Sequence, residues 1–86
     1  MNINSLIAIV KKKLTDNIVI EKIEIEDKSF LHKNHSGHQE GRFHLRITIE
    51  SKELKEISKI ESNKKIYKIL RDEIKEYIHS IQILII

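Results

Sequence analysis

The chain has 86 residues, 40% of them hydrophobic and 34% charged, a balance that suits one folded domain over residues 1–86 and argues against disorder. It has no cysteine, so it offers no disulfide framework, no thiol nucleophile and no thiolate for a metal. Sixteen basic residues stand among 13 acidic ones for a net charge of +3. The two signs alternate along the same segments, which is the pattern of a solvated surface and only a weak pointer to nucleic acid. Ile3, Leu6, Ile7, Val10 and Leu14 recur at three- and four-residue spacing and predict an amphipathic helix. Asn4 or Ser5 is its expected cap, and it should stop near Thr15, Asp16 and Asn17. Lys11, Lys12 and Lys13 interrupt the apolar run, so this start reads as neither signal peptide nor membrane span, and a cytoplasmic location is expected.

Ile18, Val19 and Ile20 lead into Ile23 and Ile25, which alternate with Lys22, Glu24 and Glu26. This predicts a strand with a phase slip near Glu21. From 27 to 41 the alternation vanishes among the turn formers Asn34, Ser36, Gly37 and Gly41, predicting a long loop of the kind that often carries function. Phe43, Leu45, Ile47 and Ile49 alternate with His44, Arg46, Thr48 and Glu50, a half-buried strand antiparallel to the first. Leu54, Ile57 and Ile60 predict a short helical turn. Ser62 is the expected cap of a longer helix with the stripe Ile66, Ile69, Leu70, Ile74 and Tyr77. In the last segment His79, Ile81, Ile83 and Ile85 should share one face of a strand. The expected core comprises Ile7, Val10, Ile25, Ile47, Ile69, Leu70 and Ile81.

The chemistry-bearing residues are few. His32, His35 and His38 form His-x-x-His-x-x-His in the loop, and His44 and His79 lie in strands. Imidazole binds zinc, copper, nickel and iron, yet in a loop this spacing only makes the rings locally dense, and its plain reading is a solvated polar loop. His79, beside an apolar run, reads equally as a hydrogen-bonded structural residue. Asp27 and Ser29 near His32 lack any oxyanion hole, and there is no Gly-x-Ser-x-Gly and no phosphate-binding glycine loop, so no enzyme is expected. Gly37 and Gly41 do not make the GXXG clamp that grips RNA. Lys64 and Lys65, expected at a helix N-terminus, are the candidate nucleic-acid contacts.

Several segments, in order and at fitting separations, resemble the BolA family. The stretch from Ile23 through Glu26 into Asp27-Lys28-Ser29 is similar to its first strand and Asp-x-Ser. Leu31-His32-Lys33-Asn34-His35-Ser36-Gly37 resembles its Leu-His-Ala-Gly-His-Ala-Gly loop. His44 falls on the His of its Ser-His-Phe, Ser51 on the Ser ending that strand, and Ile78-His79-Ser80-Ile81 on its Val-His-Ala-Leu. Ile66-Tyr67 and Leu70-x-x-Glu73-Ile74 track its long helix. The resemblance implies an α+β, KH-like domain of the class II type, ordered α-β-β-α-α-β, with a three-stranded sheet and helices on one face.

It also implies a non-enzymatic adaptor that binds a monothiol glutaredoxin with glutathione and shares a bridging 2Fe-2S cluster, in iron–sulfur cluster handling or iron signalling. The implied ligands are His32 and His79, with His35 as a substitute for His32. No cluster is expected in the isolated protein, and the free chain is expected to be a monomer with no membrane association. The family's Arg-His-Arg falls here on Ser62-Asn63-Lys64, and the Phe of Ser-His-Phe is Leu45. Those departures place the alternative, a nucleic-acid-binding transcriptional regulator, second. The apolar Leu84, Ile85 and Ile86 are a further candidate, as an exposed edge able to pair with another chain.

Overall fold

The computed structural model describes residues 1–29 and 42–86. Their order is α1 (Ile3–Asn17), β1 (Lys22–Asp27), β2 (Phe43–Glu50), α2 (Lys52–Lys55), α3 (Lys59–Ile69), α4 (Arg71–Glu76) and β3 (Ile78–Ile85). This is the expected α+β class with a three-stranded sheet. The expected long second helix is divided, because Leu70 leaves helical geometry at φ −97°, ψ 14°.

The first helix buries Leu6, Val10 and Leu14. Ile7 lies off that stripe and is only half-buried, a correction to the expected core. The cap is Asn2, not Asn4 or Ser5: its side-chain oxygen accepts from the Ser5 N–H at 2.8 Å. An N-cap works from three residues upstream of the amide it satisfies, which puts Ser5 inside the helix. Glu73 of α4 is buried and receives the Lys13 ammonium at 2.7 and 2.9 Å, tying α4 to α1.

The sheet order is β1-β2-β3. Strand β1 runs antiparallel to β2, with Ile25 opposite Ile47, and β3 runs parallel to β2, with Ile81 opposite Leu45. One face of β2 buries Leu45, Ile47 and Ile49 together with Val10, Leu54, Ile66 and Leu70 from the helices. Ile25, Ile69 and Ile81 pack at the margin of this core as partly buried side chains.

The corner after β2 differs from expectation. Ser51 caps α2, accepting from the Leu54 N–H at 3.2 Å and donating to the Val19 carbonyl at 2.8 Å. Ser58, not Ser62, caps α3, accepting from the Glu61 N–H at 3.1 Å. Ser62 is buried in the first turn of α3 and donates to the Leu54 carbonyl at 3.1 Å. The Leu54 carbonyl at the end of α2 also accepts a long bond from the Ile57 N–H at 3.4 Å, and Ser62 adds a shorter one. Ile60 then falls in α3 and is exposed. Among the described residues no helix is long and apolar enough to cross a membrane.

Candidate functional site

The candidate site is built on an irregularity in the β2–β3 ladder. Phe43 pairs with Ile78, but His44 pairs with Ser80, so His79 is an extra residue on β3. Such a bulge re-aims a side chain out of simple alternation. His79 consequently does not follow Ile81, Ile83 and Ile85 in packing against the core: it is exposed, and its ring lies 4.9 Å from that of His44, centroid to centroid, at 55°. That corrects the expectation of four residues on one face.

His44 is 6% exposed, with Nδ1 2.6 Å from the Ser80 hydroxyl. Its backbone N–H donates to the Ser29 hydroxyl at 3.0 Å, and its carbonyl accepts from the Lys28 N–H at 2.7 Å. Ser29 is positioned in turn by its own N–H, which donates to the Asp27 carboxylate at 2.9 Å. On the other side Phe43 N–H donates to the Tyr77 carbonyl at 2.9 Å, and Arg42 Nη2 to the Lys75 carbonyl at 3.0 Å. Ser29 and Arg42, which flank segment 30–41, thus both lie at the end of the sheet that carries His44 and His79. The ring of His79 makes no hydrogen bond among the described residues, so its nitrogens are available to an external acceptor or metal.

A family model described as BolA-like protein matches residues 14–86. The chain belongs to the BolA family. Solved structures agree in fold. The BolA domain of SufE1 from Arabidopsis thaliana is 27% identical, with a TM-score of 0.76 over 91% of this chain and 86% of that one. BolA1 from Arabidopsis thaliana is 23% identical, with a TM-score of 0.75 over 91% of this chain and 86% of that one. BolA1 from Mus musculus is 19% identical, with a TM-score of 0.74 over 92% of this chain and 62% of that one. No curated protein matches the chain significantly.

Within this BolA-family chain the expected site residues fall in three places. His79 stands on the bulge. His32 and His35, with His38, lie outside the described residues. Lys64 and Lys65 are inside α3, beyond its first turn, and not at a helix N-terminus as expected, because the helix begins at Lys59 under the Ser58 cap. Lys65 is also paired with Glu53 at 3.0 Å. The Lys65 ammonium holds the Glu53 carboxyl below the ordinary carboxylate range, helped by the Val19 N–H and opposed by partial desolvation. The geometry that anion binding at a helix terminus requires is therefore absent from this pair.

Sequence reasoning missed the contact of His79 with His44 and the burial of His44. A signal was present: Ile78 and Ile81 are three apart, out of phase with the two-residue alternation that follows. An apolar slip of one residue in a strand marks a bulge.

Proposed function

We propose that this chain is a non-enzymatic adaptor that binds a monothiol glutaredoxin and co-ligates a bridging 2Fe-2S cluster through His79 and either His32 or His35. The observation that carries the reading is the exposed, unbonded imidazole of His79, raised on a bulge at the end of the sheet where segment 30–41 begins and ends. His32 follows Ser29 by three residues, and an extended chain of that length spans at most about 11 Å. That reach is consistent with His32 and His79 serving one site. The buried His44, held through Ser80 and Ser29, supports the His79 ring from behind. Its role is to orient that ring, 4.9 Å away centroid to centroid.

The donor set fits a shared cluster. A chain without cysteine has no thiolate to give and offers imidazole or carboxylate ligands. The remaining ligands would be the partner's thiolates. A cluster with mixed His and thiolate ligation has a higher potential than an all-thiolate one.

The test is co-purification with the monothiol glutaredoxin in the presence of glutathione, followed by visible spectroscopy. The expected result is a heterodimer whose spectrum differs from that of the glutaredoxin homodimer. His79→Ala should abolish that difference or make the cluster labile. His32→Ala should act alike unless His35 replaces it, in which case the double variant shows the loss. A wild-type spectrum from the His32/His35/His79 triple alanine variant would overturn the ligand assignment.

A further inference from the structure

The outer edge of β3 carries an inference that needs no metal ligand, although it begins beside His79. Strand β3 is eight residues long and lies at the edge of the sheet. Between Ile78 and Ile86 there is no Lys, Arg, Asp, Glu or Pro, the residues with which natural edges are usually protected. The Ile86 N–H donates to the Ile49 carbonyl at 2.9 Å. Successive residues of a strand direct their backbone groups to opposite sides. Gln82 and Leu84 therefore face β2, and Ile81, Ile83 and Ile85 direct their N–H and C=O groups outward, where no described strand pairs with them.

Two hollows follow this edge where it meets the helices. One, of about 450 Å³, lies between Tyr67, Arg71 and Lys75 of the helices and residues Ile78 to Ile81 of the strand, with His79 and Ser80 in its wall. The other, of about 210 Å³, lies between Lys59 and the strand at Ile83 and Ile85. Isoleucines of β3 line both. The charged side chains on their rims are Lys59, Arg71 and Lys75, with no Asp or Glu side chain among the lining residues.

We propose that this edge is a docking site for an extended acidic segment of a partner protein, which adds to β3 as a fourth strand. Its main-chain groups pair with Ile81, Ile83 and Ile85. Its alternate apolar side chains enter the two hollows, and its carboxylates meet Lys59, Arg71 and Lys75. A second copy of this chain is the poorer occupant. In an antiparallel β3–β3 pair, Arg71 and Lys75 of one copy would approach Lys59 of the other, and like charges across a strand pair repel.

The test uses the whole protein without iron or glutaredoxin, so its outcome is independent of the cluster reading. The probe is a labelled peptide alternating valine and glutamate, roughly seven residues long, the length of an ordinary strand. Binding is followed by fluorescence anisotropy and by amide hydrogen exchange. The expected result is saturable binding that weakens with salt, slowed exchange at Ile81, Ile83 and Ile85, and at least about tenfold loss in R71E/K75E. Both residues are exposed, so the variant should fold, and its circular dichroism checks that. Blocking alternate peptide amides by N-methylation should abolish binding, since a strand needs them. The proposal is overturned if the valine–lysine peptide binds equally well, or if exchange at the three isoleucines is unchanged. It is overturned equally if a DNA duplex or a second copy protects them in place of the acidic peptide.

Discussion

The two ends of strand β2 treat their polar residues in opposite ways. At its C-terminal end Ser51 and Ser62 are fully buried, and each hydroxyl is engaged with backbone: Ser51 with Val19 and Leu54, Ser62 with Leu54. At its N-terminal end His44 is also buried and bonded, but the neighbouring His79 is exposed and its ring has no hydrogen bond among the described residues. The first arrangement holds a corner of the fold. The second leaves one imidazole exposed beside a buried one. A polar group whose bonds all close internally stabilises structure, and one held in position with its bonds open is where binding is to be sought.

Substitutions at the two ends should therefore separate stability from binding. The largest effect on stability is expected in the core they share. Leu70→Ala should cost about 2–5 kcal/mol in chemical denaturation through lost burial and a cavity, since Leu70 is fully buried. Ile7→Ala should cost clearly less, because Ile7 lies off the buried stripe of α1. Equal losses would show that the helix phase is misassigned.

Next in size is the serine corner. Ser51→Ala removes a helix cap and leaves the Val19 carbonyl without its donor, for an expected loss of about 1–3 kcal/mol. His79→Ala should change stability by no more than about 0.5 kcal/mol, as for other exposed positions, while removing the spectral difference of the glutaredoxin complex. A destabilisation at His79 as large as that at Ser51 would mean that the bulge serves the fold rather than binding. Lys13→Met, which strands the buried Glu73 carboxylate, should cost about 1–2 kcal/mol, less than for a fully buried pair because Lys13 is partly solvated.

The smallest effect is expected at Glu53. Its folded carboxyl is held below the ordinary value of 4.5, chiefly by Lys65. A carboxylate lowered in the folded state stabilises fully above its unfolded pKa and loses that contribution as pH falls through the folded value. Melting curves of wild type and Glu53→Gln should thus differ most near neutrality and converge in acid below about 4.5. A gap that widens in acid would contradict the Lys65–Glu53 pairing.

The sequence by itself determined the element order, the α+β class and the antiparallel pairing of the first two strands. These rest on apolar periodicities and on local spacing, which act within a few residues of one another. It did not determine which serine caps α3, since Ser58 and Ser62 are equally good N-caps locally. The choice falls to Ser58 because the Leu54 carbonyl, eight residues before Ser62, takes the hydroxyl of Ser62. Nor did it show that the expected second helix breaks at Leu70, or that Lys65 turns to Glu53 in place of a helix terminus. The placement of His79 against His44 arises only when β3 aligns parallel to a strand more than thirty residues earlier and takes up the extra residue as a bulge. Contacts between residues so far apart in sequence are chosen by packing, which local pattern does not encode.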